Sequence, residues 1–346
     1  MGFLFCTCID FFYKFEKTIF RQMSALAEIR KPVEKEMSEF EAYFSRAFKS
    51  DVPLLKIILN YVFRRKGKQM RPLLVFLSAR LNGEVTEATY VAATLIELLH
   101  TASLVHDDVV DDASERRGVL SVNALWNSKI AVLTGDYMLA TGLLVSVEKN
   151  RYDMLEIVSE AVKAMSQGEL LQLQKARKLN INEEDYFKII SAKTAALISA
   201  CTACGAVSAT ADAEAIALMK ELGKYTGIAF QIRDDILDYE KNSLTGKAPG
   251  NDIKERKITL PLIHVLGKAP CTEKKRLINI VRKKKKTMKE TCEVISYVEE
   301  NGGIAYSEMK MNHYRDKALA LLDSYPDSEV KNSLKQFINY TTSRNN

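Results

Sequence analysis

Asp107, Asp108, Asp111 and Asp112 follow directly on the mostly apolar run Ala92 to Val105, where charge has no evident structural use. On a helix, Asp107 and Asp111 project from one face with Asp108 beside them. Carboxylates so placed repel one another unless a cation holds them. Oxygen-only ligands suit hard ions, and Mg²⁺ typically takes one or two carboxylates, some waters and the phosphate oxygens of a substrate. The arrangement recurs at Asp234, Asp235 and Asp238, after the apolar stretch Tyr225 to Ile232. One such cluster could be a solvated helix end. Two in matched apolar surroundings argue for a shared task, because burying a carboxylate without a partner costs several kcal/mol or forces it to take up a proton.

Cations supply the complement that a bound diphosphate would need. Gly67, Lys68, Arg71 and Pro72 form GKxxRP at a helix entry, and Arg116 and Arg117 follow the first aspartates. Lys193 stands next to Thr194, and Lys247 and Lys257 lie behind the second cluster. Arginine forks bind phosphate through two parallel hydrogen bonds and lysine binds it as a point charge.

The elements that position these groups must be helices. In 346 residues there are only 15 Gly and 7 Pro, and 47% of the residues are hydrophobic, enough for a sizeable core. Apolar spacing of three and four predicts helices over 28–49, 52–64, 70–81, 86–110, 121–127, 130–147, 151–175, 183–207, 211–240, 257–267, 272–285, 287–301 and 303–342, with no strand-period block. No linker rich in Pro, Gly or Ser divides the chain, so 23–346 is expected to be one all-α domain. No run of 18 apolar residues suggests a membrane span.

Residues 1–22 mix Phe, Tyr and Cys with Lys and Arg and lack a secretory core; they read as a translated upstream extension or a loose interfacial helix. Gly2 does not complete a myristoylation signal, because Cys6 stands where Ser or Thr is required. The six cysteines have no framework spacing, and Cys201 and Cys204 read as small core residues. The net charge of +6 comes from 50 basic residues interspersed with 44 acidic ones, and no aromatics interleave the basic run Arg282 to Lys286. That run reads as a solvated loop or helix end, and no nucleic-acid partner is expected.

Taken together, GKQMRP at 67–72, HTASLVHDDVVDDASERRG at 100–118, LTGDYML at 133–139, QGELLQL at 167–173, KTAAL at 193–197, FQIRDDILDY at 230–239 and GNDIKERKITLP at 250–261 resemble the polyprenyl synthetase family of trans-prenyl diphosphate synthases, especially its bacterial octaprenyl-type members. The resemblance covers roughly 28–340. It implies a single-domain helical bundle of the isoprenoid synthase type with a central active-site cavity. The implied reaction adds isopentenyl diphosphate to an allylic diphosphate, such as farnesyl diphosphate, by ionisation, condensation and elimination. By the same resemblance, Asp107, Asp108, Asp111, Asp234 and Asp238 hold three Mg²⁺ ions, and Asp235, Arg116 and Lys193 join them in the catalytic set. Arg116, Lys193, Thr194, Gln231, Lys247 and Lys257 contact the allylic substrate. Lys68, Arg71, His100 and Arg117 hold isopentenyl diphosphate, His100 on family position alone.

In this family the growing chain runs beside the helix of the first aspartates, so Ala102 and Ser103 form the floor of its channel. Both are small, and Leu99 and Ile96 continue the same face up to roughly 16 Å back, which favours a product of roughly six to ten isoprene units. The resemblance further implies a homodimer, a cytoplasmic protein that meets the inner face of the membrane transiently to release its apolar product, and a role in quinone side-chain synthesis. A non-catalytic partner subunit would not need both aspartate clusters. A terpene cyclase or head-to-head synthase would not need GKQMRP with a full second DDxxD.

Overall fold

The computed structural model describes residues 24–48, 50–64, 67–116, 118–240 and 249–343. In chain order the helices are α1 (Glu34–Ala47), α2 (Pro53–Arg64), α3 (Met70–Asn82), α4 (Glu87–Val110), α5 (Val122–Trp126), α6 (Ser128–Glu148), α7 (Tyr152–Lys178), α8 (Glu183–Ile190), α9 (Ala196–Ala209), α10 (Ala213–Leu237), α11 (Asn251–Lys254), α12 (Leu260–Lys268), α13 (Cys271–Arg282), α14 (Met288–Glu300), α15 (Gly303–Leu321) and α16 (Glu329–Ser343). A π-helical turn, Ser191–Ala195, joins α8 to α9. The fold is all-α. Among the described residues the only β structure is a two-residue antiparallel ribbon, β1 (Glu115–Arg116) with β2 (Val119–Leu120), too short to leave a period in the sequence.

The described residues form two compact units, one of Pro32–Ala161 with Leu197–Lys220, the other of Val162–Ala196 and Glu221–Asn346 with 24–31. In the first, α4 packs on α3 and α6. Ala92, Ala93, Leu95, Ile96 and Leu98 are wholly buried, which is why the run before the first aspartates is mostly apolar, Glu97 being its one charged residue. Gly142 of α6 sits against Leu95 and Leu98, and Gly205 of α9 lies so close to α3 that a Cβ there would stand 2.4 Å from the Val75 carbonyl oxygen. Cys201 and Cys204 are buried, and burial pushes the Cys201 thiol up to about 12.

In the second unit, Ile228, Ile232 and Ile236 of α10 pack with Leu260, Leu262 and Val265 of α12, Leu277 and Val281 of α13, and Val294, Ile295 and Val298 of α14. The helix expected over 303–342 is broken. α15 ends at Leu321, a short 3₁₀ turn follows at Leu322–Ser324, and α16 begins at Glu329. Pro326 lacks an N–H and disfavours helix at Tyr325. Buried Lys331 then donates from Nζ to the Tyr325 carbonyl at 2.6 Å and pairs with Asp327 at 3.0 Å, closing the turn. α10 likewise stops at Leu237, short of the expected residue 240.

By length and composition α4, α6 and the helical stretch Glu183–Ala209 could each cross a bilayer, which a count of consecutive apolar residues does not reveal. The apolar windows of the first and third are 67% buried inside the protein, and that of α6 only 33%. Gly205→Ala should destabilise the fold by about 1–2 kcal/mol, because overlap with the α3 backbone outweighs the gain in helix propensity. Urea unfolding followed by circular dichroism would measure this, and an unchanged midpoint would show that α3 and α9 can separate at no cost.

Candidate active site

In the first unit, Glu97, His100, Thr101, Leu104 and Asp108 form one stripe of α4 and one wall of a cavity of about 680 Å³. Facing them are Phe40 and Phe44 of α1, Phe48 just after it, Tyr61 and Phe63 of α2, Gly67 and Gln69 of the GKxxRP turn, and Arg116 of β1. The aromatic wall holds together by ring contacts: Phe44 meets Phe63 edge-on at 5.1 Å and Phe48 stacks on Phe63 at 4.5 Å. Gln69 takes a left-handed conformation, φ 48°, to start α3, which puts exposed Lys68 and half-buried Arg71 on either side of it.

Asp108 is buried and accepts from Arg116 Nε at 2.7 Å. Burial raises its carboxyl above the usual range, and Arg116 opposes that shift. Asp107 is half-buried at the end of α4, and exposed Asp111 continues its last turn, donating its N–H to the Asp107 carbonyl at 2.8 Å. Asp112 turns away in a left-handed conformation, φ 50°. His106 lies under Gly135 and meets the Val132 carbonyl at 3.2 Å and Asp136 at 3.4 Å, so the LTGDYML segment of α6 braces the base of the aspartate turn.

Ala102, Ser103 and Leu99 do not line this cavity. Ala102 is 2% exposed and packs in the cluster that contains Ile58, Leu98 and Met138, Leu99 is buried, and Ser103 is half-buried with its hydroxyl on the His100 carbonyl at 2.8 Å. Arg117 and Lys247 lie outside the described residues, as do 1–22.

The second unit holds a smaller cavity of about 130 Å³, lined by Lys175, Lys193, Thr194, Gln231, Asp235, Asp252 and Lys257 among others. A hydrogen-bond chain runs through it. Thr194 donates to Gln231 Oε1 at 2.7 Å, Gln231 Nε2 donates to Asp235 Oδ1 at 2.8 Å, and the Tyr186 hydroxyl donates to Asp235 Oδ2 at 2.7 Å. Burial drives Asp235 up to about 7, although both hydrogen bonds favour its charged form. Burial also raises Asp252 and Asp238, Asp252 well above the usual range.

Asp238 accepts from the backbone N–H of Asn251 and Asp252, each at 2.9 Å, and so caps the start of α11. Half-buried Asp234 stands one turn before it, its carbonyl accepting the Asp238 N–H at 3.3 Å. Lys193 and Thr194 ride on the π turn, which passes so close to α7 at Gly168 that a Cβ there would lie 2.9 Å from that of Ala192. Lys193 pairs with Glu169, Lys175 with Asp185 at 2.6 Å and Lys257 with Glu255 at 2.6 Å.

The sequence reasoning missed Tyr186, Asp252, Glu169 and Lys175. Tyr186 precedes Lys193 by two helical turns and Asp252 lies inside GNDIKERKITLP, so face and motif carried signals for both. Among the described residues no three His, Cys, Asp or Glu side chains converge as a ready-made metal cage. The oxygen-only donor set nevertheless fits Mg²⁺, which binds through one or two carboxylates with water and phosphate oxygens.

The raised carboxyls make stability depend on pH. A carboxyl whose folded pKa is raised stabilises the fold while protonated, and that contribution is lost as pH climbs through its folded value, here about 7 for Asp235. Tyr186→Phe removes a donor to the charged form. It should therefore cost about 1.5–3 kcal/mol at pH 8 in chelator and distinctly less at pH 5. Equal losses in urea melts at both pH values would show that Tyr186 does not support an ionised Asp235.

The polyprenyl synthetase family profile matches residues 52–298. Octaprenyl diphosphate synthase of Escherichia coli (strain K12) is 32% identical over 310 residues, 89% of this chain and 96% of that protein. An all-trans-nonaprenyl-diphosphate synthase (geranyl-diphosphate specific) of Rhodobacter capsulatus is 32% identical over 311 residues, 89% of this chain and 94% of its own. The crystal structure of a decaprenyl diphosphate synthase from Rhodobacter capsulatus superposes with a TM-score of 0.88 at 30% identity, covering 93% of this chain and 99% of that one. A Caulobacter crescentus polyprenyl synthase complexed with calcium and isoprenyl diphosphate gives 0.85 at 30% identity, covering 93% and 98%. The profile match and these relatives agree with the all-helical fold, and this chain belongs to the polyprenyl synthetase family, whose members are prenyltransferases.

Proposed function

We propose that the protein is a long-chain all-trans polyprenyl diphosphate synthase that adds isopentenyl diphosphate to an allylic diphosphate such as farnesyl diphosphate. The observation that carries this reading is the paired chemistry: each unit presents a carboxylate turn at the end of an apolar helix, with cations beside it. In this reading Asp107, Asp108, Asp111, Asp234 and Asp238 hold divalent ions, three Mg²⁺ per site. Bound there, the metal neutralises charge on the departing diphosphate and polarises its bonds.

The chain's own residues do the rest. Arg116, Lys193, Lys257 and Lys247 take up phosphate charge. Thr194 and Gln231, fixed in orientation by Asp235, present oriented dipoles to the developing allylic cation. Lys68, Arg71, Arg117 and His100 hold the second diphosphate. The apolar aromatic walls keep water from quenching the cation. The released diphosphate accepts the final proton, so no Ser-His-Asp or Cys-His pair is required.

We further assign the exposed apolar stripe of α6, which includes Leu133 at 59% and Leu144 at 56% exposure, to a homodimer interface. Leu133→Glu with Leu144→Glu should convert dimer to monomer in light scattering; a monomeric parent protein would refute that interface. The cellular setting we propose is the cytoplasm, with transient contact at the inner membrane face and a quinone side chain as the eventual use.

Incubation with Mg²⁺, farnesyl diphosphate and labelled isopentenyl diphosphate should yield a ladder ending in one long polyprenol after dephosphorylation. Asp107→Ala should abolish that ladder while leaving the circular dichroism unchanged; near-normal turnover would overturn the metal site. The floor assignment rests on the family's channel beside α4 and not on the cavity of about 680 Å³, which Ser103 does not line. In that reading Ser103→Phe should shorten the product to roughly fifteen or twenty carbons, by closing the channel one turn below Asp107. Ala102→Phe tests the same floor but also overpacks a buried position, at about 1–3 kcal/mol. Unchanged chain length in Ser103→Phe would reject the floor assignment.

A further inference from the structure

The basic run Arg282–Lys286 divides into structural and outward-facing residues. Lys283 pairs with Glu290, and Lys286 donates to the carbonyls of Lys254 at 3.2 Å and Lys283 at 2.8 Å, tying the turn before α14 in place. Arg282, Lys284 and Lys285 are exposed, and among the described residues they have no ion-pair partner. α13 extends this surface. It buries Leu277, Ile280 and Val281, and Arg276 pairs with its own Glu273 at 2.7 Å and with Glu293 of α14. Helical geometry puts Lys274, Lys275 and Arg282 on the opposite flank and outer face. All three are exposed.

Lys289 adds a further exposed cation in the first turn of α14, beside Met288, which is 50% exposed. The acids of this region, Glu273, Glu290 and Glu293, are all engaged with Arg276 or Lys283. Six cations therefore project outward, and among the described residues none of them has an ion-pair partner, next to one exposed apolar side chain.

We propose that this face of α13 and the α13–α14 turn docks the protein on an anionic phospholipid bilayer. Clustered lysines near a membrane surface are drawn to acidic headgroups, and an exposed methionine suits shallow insertion at the acyl boundary. A polynucleotide partner fits less well, because no aromatic side chain interleaves these cations to stack on bases. The purpose rests on the proposed function: a long polyprenyl chain is too apolar to leave into water, and docking would let it pass into lipid. The site itself is independent of catalysis.

The test is flotation of the full-length protein with vesicles of phosphatidylcholine alone or mixed with phosphatidylglycerol, at low and high salt. Binding should require phosphatidylglycerol and be lost at high salt. A variant with Lys274→Glu, Lys275→Glu, Lys284→Glu and Lys285→Glu should lose at least about tenfold in partitioning. The matching four Lys→Arg changes should keep it.

Far-UV circular dichroism checks that both variants fold. Isopentenyl incorporation in detergent should be the same in both, so a failure of the catalytic reading shows there and not in flotation. Because residues 1–23 are intact in both variants, undiminished flotation of the Glu variant would assign binding elsewhere and overturn the proposal. So would absence of binding to anionic vesicles, or tighter binding of the parent protein to an RNA homopolymer than to those vesicles.

Discussion

A carboxylate moved from water to the end of an apolar helix costs several kcal/mol unless its charge is held or neutralised, and both candidate sites are organised around that cost. Each aspartate meets it differently. Asp108 leans on the Arg116 guanidinium brought in by the β ribbon. Asp235 takes hydrogen bonds from Tyr186 and Gln231, and Asp238 takes two backbone N–H groups at the head of α11. Burial still raises Asp108, Asp235 and Asp238 above the usual carboxylate range. In the proposed function a divalent cation would relieve that penalty.

The cations obey the same economy from the other side. Lys193, Lys175 and Lys257 are not held in reserve as bare charges; they rest on Glu169, Asp185 and Glu255. In the proposed function, binding of a diphosphate would exchange one anion for another, with selectivity from the stronger charge and larger number of acceptors on phosphate. The π turn matters here because it sets Lys193 and Thr194 facing Gln231 across the cavity, where a regular helix would rotate them away. Gly168 makes that turn possible, since any side chain there would push it off α7.

Some of this was legible in the sequence because it violates a pattern. Aspartates placed where an apolar helical stripe ends stand out in any reading of periodicity, and a second copy in the same context removes the solvated-end explanation. The cations were legible only as a set. Tyr186 and Asp252 left only faint signals, by helix face and by motif, since a tyrosine at a buried helical position and an acid beside a KERK run have ordinary explanations until their neighbours are known. The break at Pro326 is readable from the proline itself, although apolar spacing resumes beyond it and masks the interruption.

Residue types and helical spacing by themselves determined the all-α class and the two carboxylate turns, because those depend on side chains a few positions apart on one helix, while the family was implied by the resemblance of seven motifs in order along the chain. Tertiary structure decided which carboxyls are buried and who holds each one, which cations are already paired, and that Ala102 packs into the core. It also decided which members of a basic run face outward. These follow from contacts between residues far apart in the chain, and helical periodicity carries no information about such contacts.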